Sequence, residues 1–355
     1  MLSMTWLRFV SSRIDRFLAA ILLTVGFACV MPARGEAAIA VGWLTSAAIA
    51  LLFFMHGAKL SPEAAFAGLK QWRLHTLVFV GTFALFPLLG ITAHALVPEL
   101  LPASMWPGFL LLTALPSTVQ ASIAFTSVAG GNVPAALCSA SASNLFGIFL
   151  TPVIAGYLLA SHGLDLSAHS VLAVIEQLLL PFAAGQLLRP WIGGFMERHP
   201  RALKVVDYGS ILLIVYSAFS HGVVNGIWHQ VDAVQLVQLA LVNAALLSTV
   251  ITTLTFVSRW LGFSRADEIT IVFCGSKKSL ASGLPMANVL FAGHVGLGII
   301  PVMLFHQIQL MVCASLARRY AARGAGRAAV EHVRPASDRG VVGVPRLARA
   351  KVRKP

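Results

Sequence analysis

The sequence predicts an all-α polytopic membrane protein with ten transmembrane helices, arranged as two inverted five-helix repeats in which helices 4 and 9 are discontinuous and cross. Three observations predict it. Of 355 residues, 57% are hydrophobic and only 11% charged, with a mean hydropathy of +0.81, a balance that belongs to membrane-embedded chains. Lys and Arg collect in alternate short loops. Two apolar segments interrupt themselves at matching places, Leu115-Pro-Ser-Thr-Val-Gln-Ala-Ser122 and Cys274-Gly-Ser-Lys-Lys-Ser-Leu-Ala-Ser-Gly-Leu-Pro285.

The apolar runs, each near the ~20 residues that a bilayer core requires, fall at 14–31, 38–56, 73–97, 106–129, 134–160, 169–192, 204–223, 233–260, 267–291 and 295–317. Arg8, Arg13 and Arg16 precede the first run. Lys59, Lys70 and Arg73 join runs two and three, Arg189, Arg198, Arg201 and Lys204 join six and seven, and Arg259 and Arg265 join eight and nine. The intervening loops 97–105, 161–168 and 221–232 contain no Lys or Arg, and only Arg34 departs from the alternation. The positive-inside rule therefore puts both termini in the cytoplasm, in a plasma (bacterial inner) membrane. Arg8 to Arg16 followed by an apolar run has the outline of a signal peptide, but the run is long enough to span and completes the first repeat.

The expected domains are a cytoplasmic N-terminus (1–13), a ten-helix unit (14–317, with repeat one at 14–160 and repeat two at 169–317) and a basic disordered cytoplasmic tail (318–355). The tail holds eleven Lys or Arg against Glu331 and Asp338, which accounts for nine of the thirteen net positive charges. Its charge is thus a tail property that suits anionic lipid, and no nucleic-acid partner is expected. Cys29, Cys138, Cys274 and Cys313 have neither paired spacing nor histidines at ligand distance. No metal site and no bound cofactor follow from them.

An odd number of helices per half forces the second half to enter the membrane from the opposite side, so the two broken spans run antiparallel and meet near the midplane. Inside lipid an unpaired backbone N–H or C=O costs several kcal/mol, so such breaks persist where protein or a watery cavity takes up the freed groups, as at transport sites. Pro116 removes a donor, and Gly275 and Gly283 are expected to permit turns. Ser117, Thr118, Gln120, Ser122, Ser276, Ser279 and Ser282 offer uncharged oxygens and amides to a polar ligand or a cation. Span five adds Ser139 and Ser143, one turn apart, and Asn144, whose carboxamide needs partners that the adjacent break can give.

Lys277 and Lys278 lie about ten residues into span nine, near mid-bilayer at ~1.5 Å per residue, where a charge signals function. Either lysine could hold an anionic substrate, occupy the place of a coupling cation, or carry a proton. Glu176, a turn or two into span six, is their expected charge partner. His306 and Gln307 in span ten are lesser candidates.

These motifs, together with Phe53-Phe-Met-His-Gly-Ala-Lys-Leu-Ser61 and Gly131-Asn132, resemble those of the bile acid:sodium symporter family, in the bacterial branch close to the vertebrate solute carrier family 10 member 7. The likeness covers residues 10–317. It implies a panel of spans one, two, six and seven, a core of the other six, sodium held where spans four and nine cross, and elevator-like or rocking movement of core against panel. Where the family has a Glu-x-Gly-x-Gln-Asn pattern, this chain has Phe273-Cys-Gly275-Ser-Lys277-Lys278. A carboxylate is lost and two ammonium groups are gained, so the site should repel sodium and favour a carboxylate, sulfate or phosphate.

The expectation is a secondary active transporter of a small organic anion working by alternating access, with sodium dependence weak or absent and Na+ or H+ as the coupling ions to be tested. A cation/proton antiporter is the alternative, although the breaks lack the carboxylate it would need. An intramembrane Ser–Lys enzyme built on Ser276 to Ser279, or a non-transporting regulator, comes next. Sequence neighbours seldom meet as nucleophile and base, so no enzymatic activity is expected.

Overall fold

The computed structural model describes residues 16–59, 71–160, 168–224, 226, 232–291 and 295–333, and the described residues form helices and connecting turns without strands. Helix α1 is Arg16–Val30, α2 Glu36–Lys59 and α3 Trp72–Leu96. Helix α4 (Trp106–Ala114) and α5 (Val119–Val128) are the halves of the first broken segment. Then follow α6 (Val133–Ala160), α7 (Ala168–Arg198), α8 (Pro200–Val224) and α9 (Ala233–Trp260). The second broken segment is α10 (Arg265–Gly275) and α11 (Leu280–Leu290), and the last helix is α12 (Val295–Val333).

Six of these helices are long and apolar enough to cross a membrane, and the bent pair α4 and α5, kinked by 65°, makes a seventh. The chain is therefore an integral membrane protein. Helix ends follow local chemistry. Asp232 caps α9 in a capping box with Gln235, and Ser264 and Ser279 cap α10 and α11 by accepting from Asp267 N and Ser282 N. Helix α12 runs through the expected boundary at 317, because Tyr320 is buried and donates its hydroxyl to Glu268 at 3.0 Å. The rest of the expected tail and the stretch 1–13 lie outside the described residues.

Helices α1, α2, α7 and α8 pack on one another, and the broken pairs pack with α3, α6, α9 and α12. Glycine sets the closest approach in the first group. A Cβ on Gly57 of α2 would stand 2.0 Å from the Phe182 carbonyl oxygen of α7, and a Cβ on Gly185 of α7 would stand 2.0 Å from that of Phe54 on α2. Only backbones without side chains approach so closely. A cavity of about 560 Å³ opens where the broken helices face this group, with walls from α2, α5, α6, α7, α8, α11 and α12.

Candidate functional site

Both interruptions are open chain flanked by helix ends. Leu115, Thr118 and Ser279 adopt extended backbone (φ −66, ψ 151; φ −78, ψ 138; φ −80, ψ 113), as expected for Leu115 before Pro116. The expected turn role for Gly275 and Gly283 is corrected, since positive φ among the described glycines occurs at Gly35, Gly130, Gly226 and Gly262. These two glycines instead clear space. A Cβ on Gly283 would meet Leu115 Cδ1 at 2.5 Å, and one on Gly275 would meet Leu254 Cδ1 at 2.8 Å.

The two breaks touch and complete each other. A helix C-terminus leaves its last carbonyls without intrahelical partners. At the end of α10, Cys274 O accepts from Ser117 Oγ at 2.6 Å and Phe273 O from Ser122 Oγ at 3.1 Å, while Ser279 N donates back to Pro116 O at 2.8 Å. Asn144 on α6 ties the junction, donating to Ser117 O at 2.8 Å and accepting from Ser282 Oγ at 3.1 Å. Ser143 Oγ receives Ser117 N at 3.0 Å, and Thr151 donates to Ala114 O at 2.9 Å. Gly147 leaves room for the Pro116 ring, which a Cβ there would approach to 2.6 Å.

The lysines are buried and diverge. Lys278 is 1% exposed, and its Nζ donates to the carbonyl oxygens of Thr82 (2.7 Å), Thr113 (2.8 Å) and Leu115 (2.7 Å). An ammonium has three N–H donors, and all three are used. Two acceptors are terminal carbonyls of α4, at the negative end of its dipole. The third belongs to the π-helical turn Gly81–Leu85 inside α3, a distortion that redirects backbone carbonyls. The Phe86 ring lies under the ammonium at 4.1 Å.

Lys277 turns the other way. Its Nζ donates to Ala121 O at 2.8 Å and faces the rings of Phe125 at 4.1 Å and Phe273 at 5.1 Å. Gln309 braces the main chain between the two groups, accepting from Lys278 N and donating to Lys278 O, each at 2.9 Å.

Three expectations are corrected here. Glu176 is exposed, and the described bonds of the two ammonium groups go to main-chain carbonyls, so it is not their charge partner. Neither lysine lines the cavity; Lys277 lies behind its wall, on Ala121 and Phe125. Gln309, not Gln307, is the polar residue of α12 at the break; it also contacts His306 Nδ1 at 2.9 Å, and His306 lines the cavity.

Of the other predicted residues, Thr118, Gln120, Asn144, Ser279 and Ser282 line the cavity. Ser117, Ser122 and Ser143 lie in the junction behind it, Ser276 is fully buried, and Ser139 contacts His75 Nδ1 of α3 at 2.6 Å. The first turns of α5 and α11 both reach the cavity through Gln120, Ala121, Ala281 and Ser282, so two positive helix ends face it. Apolar walls complete it, among them Phe53, Phe182, Ile211 and Met286. Sequence reading missed Lys59, His56 and Asp207, which also line it; Asp207 lies inside the predicted seventh span, where its single carboxylate was the available signal.

A conserved-family sequence profile matches residues 15–322. The chain belongs to the SBF-like CPA transporter family. This transporter is 53% identical over 308 residues (86% of this chain, 93% of the relative) to an Escherichia coli protein named "Putative symporter YfeH". It is 28% identical over 316 residues to the mouse sodium/bile acid cotransporter 7 (85% of this chain, 91% of the relative), and 26% identical over 313 residues to the zebrafish one (84% and 91%). The protein is thus a membrane transporter and not an enzyme.

Proposed function

We propose that this transporter moves an organic anion across the membrane by alternating access, with the ammonium groups of Lys277 and Lys278 built in where a coupling sodium would sit. In this reading the ten apolar segments form two inverted five-helix repeats, α1, α2, α7 and α8 form the panel, and the remaining helices move against it as the core. The observation that carries the reading is the junction itself. Two broken helices meet back to front; the negative end of α4 is held by the Lys278 ammonium and that of α10 by the hydroxyls of Ser117 and Ser122, and their positive partners α5 and α11 are turned toward one cavity.

The division of labour follows from electrostatics. Terminal carbonyls of α4 would repel an anion near the junction; Lys278 covers them, and Lys277 adds a second positive charge behind the first turn of α5. The anion then meets N–H groups and hydroxyls of Thr118, Ser279 and Ser282, while the apolar walls take its hydrocarbon part. The names of the mouse and zebrafish relatives mention sodium and bile acid. A bile acid is an amphipathic carboxylate that fits such a cavity in kind. A sodium ion beside Lys278 does not fit, because the three oxygens that could hold it already hold an ammonium, and beside Lys277 Phe273 offers a ring, not a carboxylate.

Uptake by proteoliposomes of labelled cholate, benzoate, octyl sulfate and succinate tests the proposal. Accumulation of at least one of these above protein-free vesicles, competed by unlabelled anions but not by cations of the same size, is expected. Transport of an organic cation, or of none of the four with or without ion gradients, would overturn it.

A further inference from the structure

We propose that Asp207 is a built-in substitute for the transported anion, and that substrate and Asp207 take turns on Lys59. This rests on the reading that the solute is an organic anion. Lys59 ends α2 and Asp207 lies on α8, with Lys59 Nζ to Asp207 Oδ2 at 2.8 Å and side-chain exposures of 31% and 15%. The pair stands between the main cavity and a second one of about 320 Å³, and both residues line both spaces. The second cavity adds Arg189 and Lys204, so its wall is cationic. Asp207 is the carboxylate among the described residues lining either space.

Three features favour an exchangeable pair over a fixed strut. The bond is one-pronged, since Asp207 Oδ1 is buried without a hydrogen-bond partner, and a buried acceptor left so is costly. A substrate carboxylate would meet Lys59 together with Gln120 at the positive end of α5, which also lines both cavities, and so can outcompete Asp207. Once displaced, Asp207 has a second cation within reach, because Lys204 sits three residues earlier on the same face of α8, its Nζ now over the Tyr208 ring at 5.2 Å.

The consequence concerns the return of the empty carrier. A loaded carrier moves with Lys59 neutralised by its substrate, and an empty one moves with Lys59 neutralised by Asp207. Without Asp207 the empty form carries an uncompensated, partly buried charge through the conformational change, which is unfavourable. Net uptake needs that step, and exchange of internal for external substrate does not.

Proteoliposomes loaded with buffer or with unlabelled anion separate the two modes, with the same four anions as probes. Asp207→Asn is expected to lower net uptake about tenfold while exchange stays within about twofold of wild type. Asp207→Asn combined with Lys59→Gln is expected to restore the wild-type ratio of net uptake to exchange and to raise KM about tenfold, since the cation for the substrate is gone. If Asp207→Asn does not fold, the double variant decides alone, and an unchanged KM there overturns the proposal. Net uptake and exchange falling in parallel in Asp207→Asn overturns it too, as a merely structural ion pair would behave. A wild type that moves none of the four anions in either mode overturns the function proposed above, and this inference with it.

Discussion

Replacing Lys278 by Ala removes an ammonium that three buried main-chain carbonyls share. Charge-assisted bonds are worth about 1.5–3 kcal/mol each, but the desolvation that Lys278 itself incurs offsets much of their sum. Breaking a buried charged cluster by removing one partner costs about 3–5 kcal/mol, which is about two to three and a half orders of magnitude in an equilibrium at ~1.4 kcal/mol per decade. The carbonyls of Thr82, Thr113 and Leu115 remain, and they form a vacated cage of the size that suits a small cation.

Lys278→Ala should therefore lose anion uptake about a hundredfold or more, and methylammonium or ammonium supplied in the buffer should restore part of it. Lys278→Arg should not substitute, because a planar fork cannot aim three donors at the same three oxygens. Thermal unfolding in detergent gives the same readout without a substrate: the variant's midpoint falls and rises again with methylammonium but not with choline. A Lys278→Ala protein that transports and unfolds like wild type would show that the three carbonyls do not need the ammonium.

Gly185→Leu places side-chain atoms where a Cβ alone would be 2.0 Å from the Phe54 carbonyl, so α2 and α7 must separate. A loss of ~1–3 kcal/mol or more should appear as reduced thermal stability and folded yield. Asn144→Ala removes a donor to Ser117 O and an acceptor for Ser282 Oγ. At ~1–3 kcal/mol for buried groups left unpaired, uptake should fall about tenfold or more in the vesicle assay, whereas Asn144→Gln tests whether reach alone matters. Glu176→Gln should leave uptake within about twofold of wild type, as an exposed surface residue would; a hundredfold loss would restore Glu176 as a partner of the lysines.

The breaks were legible in sequence because Pro, Ser, Lys and Gly inside an apolar run admit few explanations in lipid, and the helices themselves because hydropathy marks their limits. The partners of the lysines were not legible. They are main-chain carbonyls at the end of α4, in the π turn of α3 and in the first turn of α5, and carbonyls leave no residue-specific trace. Reading for a carboxylate led to Glu176, whereas the ammonium groups are neutralised by dipoles and ring faces. Gln309 was missed in favour of Gln307 since two glutamines so close on one helix differ only in which way they face, and that depends on packing. Lys59 was read only as a loop charge, and Asp207 was not singled out. Only the meeting of α2 with α8 shows them as a pair.

In the proposed mechanism lysine ammonium groups do the work of a coupling cation behind an anion site at two helix ends. Initial uptake rates of the transported anion at clamped membrane potential, with an inward sodium gradient or with sodium replaced throughout by choline, test it most directly. Equal rates in the two conditions are predicted. A rate that rises and saturates with external sodium would contradict the account.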